Sequence, residues 1–480
     1  MIERLKTITR ALLPRDTFWR SVSIVASGNA GSQILLVLSM PILTRLYTPE
    51  EFGLLAVYVS LLTIIGVVSS LRYELAIPLP EGNIEAANLL ILCLSLICVS
   101  TFLTSIFVLF FGSTVTELLG VELLSDYLWL LPMGVFFSGV FAVFEYWSIR
   151  GKHFINLAQA NLSKTIVTVA IQSIGFKLGG LGLLFGQAGG QGIGAFSLAK
   201  STCVNSTFDR VSWRGVKTVF KRYQRFPIYT TWAGLFNSGG SQLLPLVTAA
   251  FFTTLGAGLY ALAYKVLMLP MLFLGTSLQK VFFSNAAEAH RSDHLSAEVL
   301  RLMDILTQIS VLSAAVIIVC GPDLFSLVFG ESWRQAGVYA QWMTPMIILQ
   351  SCTGPLTVVN AVVEKQHLGL MMQMLLFTVR AFVLVVGVYS EDFLLTVKIF
   401  SFGSAICYFA FLWLLLSISG VPISEFFKSL SKAFGFAVII VAPLFLISNF
   451  AIDLASTWLA LFSSAVLGLG RLILLLRKQY

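Results

Sequence analysis

Positively charged side chains that lie within long apolar segments are the groups in this sequence most able to do chemistry. Lys164, Lys265 and Arg380 each stand near the middle of such a segment. If these segments cross a bilayer, each charge costs several kcal/mol unless it is paired or faces water. The three deep cations therefore predict a water-filled cavity, and a cationic cavity suits an anionic cargo group such as a phosphate.

Three further charges lie toward the ends of apolar segments. Arg72 and Glu74 end the second segment, and Glu145 ends the fourth. Side chains at helix ends can reach the membrane interface by snorkelling, and the two glutamates can also pair with Arg150. They therefore fit either a cavity or an ordinary helix end, and both interpretations stay open.

The first and seventh apolar segments carry the most polar residues. The first has Asn29 and Gln33 in its middle, and the seventh has Asn237 and Gln242. Such side chains cannot face lipid without cost. They either line a polar cavity between two lobes, or they belong to helices that pack through small residues with hydroxyls bonded to backbone carbonyls. Recurrence of the same positions in both segments favours the cavity.

Other combinations of residues carry little chemistry. His290 and His294 have a metal-compatible spacing, but they lie in a stretch at about 285–301 that resembles an amphipathic surface helix. The six cysteines are scattered singly and predict neither a metal site nor a disulfide framework. The sequence has no phosphate-binding loop, dinucleotide-binding glycine cluster or nucleophile elbow. We therefore expect no metal, no cofactor and no enzymatic activity.

The elements that must position these side chains are membrane-spanning helices. Hydrophobic residues make up 57% of the 480-residue chain and charged residues 11%, which is roughly half the charged share of a soluble domain. A helix needs about 20 apolar residues to cross a hydrocarbon core of about 30 Å. About 14 stretches meet that length, at about residues 21–46, 52–77, 86–110, 124–149, 154–177, 179–200, 226–252, 256–284, 302–328, 336–361, 366–389, 391–418, 432–451 and 454–476.

Lysine and arginine are concentrated in the N-terminal arm and in alternate loops, above all in the loop at about 201–225. By the positive-inside rule, this bias predicts an even number of spans with both termini in the cytoplasm. The net charge of +8 follows from that topology and does not indicate nucleic-acid binding.

A parallel repeat organises the predicted spans. The triplet Gly-Ser-Gln at residues 31–33 recurs at 240–242, and residues 53–56 resemble residues 258–261. An offset of six spans keeps the orientation, as in two-lobed transporters. The predicted fold is an all-α polytopic membrane protein with two six-helix lobes and two extra C-terminal helices. Its parts are a cytoplasmic basic arm (1–20), an N-lobe (21–200), a cytoplasmic basic linker (201–225), a C-lobe (226–418) and the extra helices (432–476).

Two short stretches resemble a known family. They are Leu-Thr-Arg-Leu-Tyr-Thr-Pro-Glu-Glu-Phe-Gly at residues 43–53 and Leu-Arg-Tyr-Glu-Leu-Ala at residues 71–76, the latter followed by Pro-Leu-Pro at 78–80. Both are similar to the N-terminal signature of Wzx-type flippases of lipid-linked oligosaccharides. These exporters of O-antigen and other polysaccharides belong to the multidrug/oligosaccharidyl-lipid/polysaccharide (MOP) exporter superfamily.

The resemblance implies a flippase in a bacterial plasma (inner) membrane. Such a protein moves an undecaprenyl-diphosphate-linked oligosaccharide repeat unit to the outer leaflet by alternating access, for surface polysaccharides such as lipopolysaccharide. It implies a central cavity lined largely by spans 1, 2, 7 and 8, which Lys265 fits best and Arg45 and Arg72 fit more loosely. Lys164 and Arg380 lie on other spans. A proton or sodium ion as the coupling species and a polymerase as a partner are further expectations.

Two other functions stay open. A small-molecule or drug antiporter of the same superfamily would share the fold, but it should favour deep carboxylates, whereas deep cations prevail here. A membrane-embedded polysaccharide polymerase or glycosyltransferase usually has a large outer loop or a cytoplasmic acidic sugar-nucleotide site. Neither feature is evident in the sequence.

Overall fold

A computed structural model describes residues 17–202, 211–271, 282, 286, 294–363 and 365–449. Within these residues the chain is helical and contains no strand. Its contacts divide into two compact units, unit 1 (Met1–Gln242) and unit 2 (Leu243–Tyr480).

Unit 1 begins with six long helices joined by short turns. These are α1 (Thr17–Leu46), α2 (Pro49–Ser69), α3 (Asn83–Leu118), α4 (Leu130–Arg150), α5 (Phe154–Ile174) and α6 (Gly180–Thr202). The α1–α2 turn is tight because Thr48 and Glu51 form a reciprocal capping box and Pro49 begins α2. Each of these residues satisfies or removes a backbone donor that a helix start leaves free.

A short amphipathic helix follows the predicted basic linker. This helix, α7 (Trp213–Arg222), buries Val216 and Val219 against α3 and carries basic residues in its last turn. A π-helical turn (Phe226–Thr230) then leads into α8 (Thr231–Phe251). The boundary between the two units falls inside α8. The predicted lobe boundary at 201–225 stays a prediction.

Unit 2 continues with a second series of helices. These are α9 (Thr254–Leu267), α10 (Leu295–Phe329), α11 (Arg334–Leu356), the single turn α12 (Val359–Val362), α13 (Gln366–Tyr389), α14 (Phe393–Ile418) and α15 (Ile423–Asn449). A one-turn 3-10 helix (Glu331–Trp333) joins α10 to α11. The predicted span at 454–476 and most of the predicted arm at 1–20 lie outside the described residues.

Six of the described helices are long and apolar enough to cross a membrane by length and composition. They are α2, α3, α4, α10, α14 and residues 367–389 of α13. The remaining predicted spans that the structure describes also form helices, but they are shorter, richer in glycine and polar residues, or described only in part. The second span ends at Ser69 and not near 77, because Leu71 and Arg72 adopt left-handed backbone conformations with φ of 50° and 61°.

The predicted parallel repeat is present in the pairing of helices within each unit. In unit 1, α4 packs on α2, α3 and α6, and α5 packs on α6. In unit 2, α11 packs on α9, α10 and α14, and α13 packs on α14. These four pairs correspond under an offset of six spans, so the two units share this part of their helix packing.

The α10–α11 hairpin of unit 2 depends on glycine. A Cβ atom on Gly337 would overlap the carbonyl of Gly321 and lie within 2.6 Å of the Pro322 Cα atom. These are backbone atoms, which cannot move aside as the tip of a flexible side chain can. Gly354, on the same helix α11, has no atom within 4 Å of the position that a Cβ would take.

We expect Gly337→Ala to destabilise the protein by about 1–3 kcal/mol, the usual cost of overpacking a close contact. The measurement is the thermal midpoint of the purified protein in detergent, followed by size-exclusion chromatography after heating. Gly354→Ala is the matched control and should keep or raise the midpoint. Equal midpoints for the two variants would contradict the close approach of α10 and α11.

Candidate functional site

The turn after α2 holds the first candidate group, the pair Arg72 and Glu74. Two successive residues with side chains, Leu71 and Arg72, are left-handed there, and a 3-10 helix (Tyr73–Ala76) follows at once. Such conformations are costly for residues other than glycine and cluster at functional sites. The turn aims the Arg72 guanidinium back at Glu74, with 3.8 Å between Nη1 and Oε1.

Glu74 is enclosed by protein. Its side chain is 7% exposed, and it accepts a hydrogen bond from the Ser70 hydroxyl. Burial raises the pKa of Glu74 above its ordinary value of 4.5, and the Ser70 hydrogen bond and the Arg72 charge only partly offset this effect. The turn therefore holds a carboxyl group whose neutral form is favoured more than in water.

Arg72 is more accessible than its partner. Its side chain is 28% exposed, and its Nε is buried without a hydrogen-bond partner among the described residues. Helix α8 passes close to it because residue 234 is glycine, where a Cβ would lie 2.9 Å from Arg72 Nη2. Arg72 thus has an N–H donor that its ion pair with Glu74 does not use, and this donor is available to an anion.

Neighbouring contacts fix this turn in place. The Tyr73 hydroxyl donates to the Phe220 carbonyl at 2.9 Å, which ties the turn to α7. Arg150, at the end of α4, donates to the carbonyls of Pro80 and Glu81. Arg150 therefore bonds to backbone carbonyls in the loop before α3, while Arg72 and Glu74 pair with each other.

The polar residues of the first and seventh spans have different surroundings. Gln242 of α8 accepts a hydrogen bond from the Ser60 hydroxyl of α2 at 2.8 Å, inside unit 1. Gln33 is half-buried and Asn237 is exposed. Asn29 lies in α1, but its side chain is outside the described residues. The Ser60–Gln242 bond fits helix packing, whereas the exposure of Asn237 leaves its amide open to a ligand.

Lys265 lies in the last turn of α9 and is exposed. It has no salt bridge or hydrogen bond within the described part of the chain. A cation in an apolar helix must be hydrated or meet a counter-charge. Of the three deep cations predicted from the sequence, Lys265 is the one that the structure shows as exposed.

Arg380 has the opposite environment. It is 5% exposed in unit 2, and its Nε donates to the Ser404 hydroxyl at 3.0 Å. Its guanidinium also reaches the Tyr408 hydroxyl at 3.3 Å and lies 5.2 Å from the Phe400 ring centroid. These contacts come from α14 and tie it to α13, so Arg380 has a packing role inside unit 2.

The other two predicted cations lie apart from the Arg72 turn. The ammonium group of Lys164 is 4.5 Å from the Phe141 ring centroid, which offers a cation–π contact. Arg45 is exposed in the last turn of α1. The predicted candidates therefore do not form one cluster within unit 1 or within unit 2.

Sequence reasoning missed several residues of the site. Ser70, Ser60 and Gly234 gave no signal, because each matters only through a contact with a distant segment or with a strained turn. The predicted histidine pair is untested, since His290 lies outside the described residues. In the described ranges, no group of three or more His, Cys, Asp or Glu side chains is placed to hold a metal ion.

The sequence matches a known family, and the fold resembles known membrane transporters. The sequence profile of a family described as polysaccharide biosynthesis protein matches residues 42–337. The fold is similar to the lipid II flippase MurJ in an inward closed conformation, with a TM-score of 0.77 and 11% identity over 93% of this chain and 97% of that chain. No curated protein sequence matches the chain.

Two other transporters have a lower structural similarity to this chain. An inward-facing multidrug resistance MATE family transporter of the MOP superfamily has a TM-score of 0.59 and 16% identity over 82% of this chain and 94% of that chain. A MOP superfamily transporter from Pyrococcus furiosus has a TM-score of 0.53 and 13% identity over 84% of this chain and 97% of that chain. At such identities the likeness shows a transporter fold and leaves the substrate open.

The raised pKa of Glu74 predicts a pH-dependent stability. A carboxyl group whose pKa is higher in the folded than in the unfolded state stabilises the fold below the unfolded pKa, and that contribution is lost as pH rises through the folded pKa. Relative to Glu74→Gln, the wild-type protein should therefore lose thermal stability as the pH rises from about 4 to 8. Thermal midpoints across this range test the prediction, with Glu425→Gln as the control for removing a carboxylate. A constant difference between wild type and Glu74→Gln would contradict it.

Proposed function

Because the chain belongs to the polysaccharide biosynthesis protein family and has a MOP-type transporter fold, we propose that it is a lipid-linked oligosaccharide flippase. Its substrate is an undecaprenyl-diphosphate-linked oligosaccharide repeat unit of a surface polysaccharide such as O-antigen. The protein moves the headgroup from the cytoplasmic to the outer leaflet of a bacterial plasma membrane, and both of its termini are cytoplasmic.

The single observation that carries this proposal is that Lys265, a cationic residue in an apolar helix, is exposed. A diphosphate-sugar headgroup cannot enter hydrocarbon unaided, because its charges and hydroxyls would lose their hydration. An aqueous passage with a fixed cation lowers that barrier. Lys265 offers a compact point charge that suits a phosphate.

Arg72 supplies the second cation. Its fork of N–H donors matches phosphate oxygens, and its Nε has no partner among the described residues. The charge distribution of the loops puts the Arg72 turn near the cytoplasmic end of α2, where a headgroup would enter. Glu74 holds the guanidinium in position, and its readiness to take up a proton makes a proton the favoured coupling ion.

Alternating access requires helices that bend. Helix α1 contains Pro41, α8 contains Pro245, and a π-helical turn (Phe226–Thr230) precedes α8. Proline and π-helical turns are the usual causes of kinks. We infer that α1 and α8 bend while the lipid tail stays in the bilayer, and that a polymerase takes up the exported repeat unit outside.

Drug antiport is the second candidate, favoured by the likeness to MATE transporters. It would use a deep carboxylate such as Asp304 of α10. The two oxygens of Asp304 accept hydrogen bonds from Gln308 at 2.7 Å and Ser429 at 2.6 Å. Both carboxylate oxygens are therefore already bonded to side chains of α10 and α15. Lipid-linked oligosaccharide export therefore remains the better explanation.

We expect Lys265→Ala to abolish translocation, measured as surface polymer in cells at equal protein level. The ammonium group is lost, while few protein contacts change. Lys398→Ala is the matched control, because Lys398 is also a lysine within a span but lies 4.4 Å from the Trp342 ring centroid. Full polymer production by Lys265→Ala would remove Lys265 from the site.

The Arg72→Gly variant removes the guanidinium charge and keeps the left-handed backbone conformation at this position. Glycine accepts a positive φ without strain, so the variant should fold, yet translocation should fall at least about tenfold, the effect of losing about 1.4 kcal/mol of binding. Lys152→Gly is the control, since Lys152 is likewise a cation with positive φ, at 56°. If both variants transport normally, the guanidinium does not bind the headgroup.

A further inference from the structure

A cavity in unit 2 lies away from the cations discussed above. Its volume is about 620 Å³, and it is formed where α8 and α13 end and where α9, α11 and α14 begin. Ligand pockets usually have volumes of about 300–1,000 Å³. The loop charges assign this end of the unit to the outer face of the membrane.

Aromatic side chains form much of the wall. Phe393 lies at the centre, with ring centroids 5.1 Å from Tyr339 and 5.4 Å from Phe252. Phe251 is 64% exposed at the rim. Gly256 allows the Phe393 ring to approach α9, because a Cβ there would lie 3.1 Å from a ring carbon.

A carboxylate stands beside these rings. Glu391 is exposed, and its side chain has no hydrogen-bond or ion-pair partner in the described ranges of the chain. Its neighbour Asp392 caps α14, because its side chain accepts a hydrogen bond from the Leu395 N–H at 3.1 Å. The two acids therefore have separate roles, and Glu391 is the one available to a ligand.

The backbone at Glu391 is strained. Its φ is 54°, a left-handed conformation that a glutamate adopts at a cost. Strain of this kind persists where surrounding structure enforces it, and it clusters at ligand sites. Here it turns the chain between α13 and α14 so that Glu391 belongs to the cavity lining.

We propose that this cavity, the outer aromatic pocket (Phe251, Phe252, Tyr339, Glu391 and Phe393), binds a sugar ring. One face of a pyranose carries C–H groups, which pack on the electron-rich face of an aromatic ring. The ring edge carries hydroxyl donors, which a carboxylate accepts through charge-assisted hydrogen bonds. Rings alone would suit a lipid chain, whereas rings with a free carboxylate and a water-facing opening suit a carbohydrate.

The sugar has two sources that share this chemistry. One is the glycan of the exported lipid-linked repeat unit, and the other is free polysaccharide at the cell surface. Only the first source rests on the proposed function. Sugar binding itself can be measured without any transport.

Saturation-transfer NMR on the full-length protein in lipid nanodiscs tests the pocket. The probes are maltotriose, mannotriose and the trimer of N-acetylglucosamine. At least one should receive saturation at its ring C–H protons, and Phe251→Ala and Glu391→Gln should each reduce that signal at least fivefold. Phe434→Ala, an exposed phenylalanine of α15, and Glu425→Gln are the matched controls and should bind as the wild type does.

Failure of all three sugars to bind would overturn the proposal, and so would unchanged binding in both pocket variants. Surface polymer in cells then distinguishes the sources. A fall in polymer for Phe251→Ala and Glu391→Gln identifies the exported glycan as the ligand, and unchanged polymer identifies free polysaccharide. A negative Lys265→Ala result would leave sugar binding intact, so the two proposals fail independently.

Discussion

A charged side chain inside hydrocarbon must be hydrated, paired or covered by aromatic rings, and the arrangement of this chain depends on that constraint. Lys164 and Lys398 lie over aromatic rings. Arg380 is bonded to hydroxyls and packed on rings in unit 2. Arg72 is paired across a strained turn, and Lys265 alone of the five is exposed without a bond among the described residues. A positively charged side chain is thus part of the packing in one helix and exposed in another.

The order of the helices could be predicted from sequence because a segment that crosses lipid must be apolar over its whole length. The repeat could be predicted from short stretches that recur six spans apart. Helix ends were harder to predict. The apolar run from 52 to 77 contains no proline or glycine next to Leu71, so the local sequence does not predict the left-handed turn that ends α2. That turn is enforced by tertiary contacts, including the Tyr73 bond to the Phe220 carbonyl.

The candidate site shows a similar division. Residue type alone makes Lys265 and Arg72 candidates, because a cation in an apolar segment needs hydration or a partner. Residue type could not separate them from Arg380, since its partners Ser404 and Tyr408 lie on another helix. Nor did it single out Glu391, which lines a cavity formed by five helices.

The lengths of α3 and α10 have a consequence for the surrounding lipid. They contain 36 and 35 residues and are the third spans of the two repeats. At 1.5 Å per residue, each is more than 50 Å long, while the hydrocarbon core is about 30 Å thick. Each must therefore tilt, protrude into the headgroup layer or thicken the bilayer around it. The tilt of α3 and α10 should therefore depend on membrane thickness, since a thicker bilayer covers more of the length of each helix.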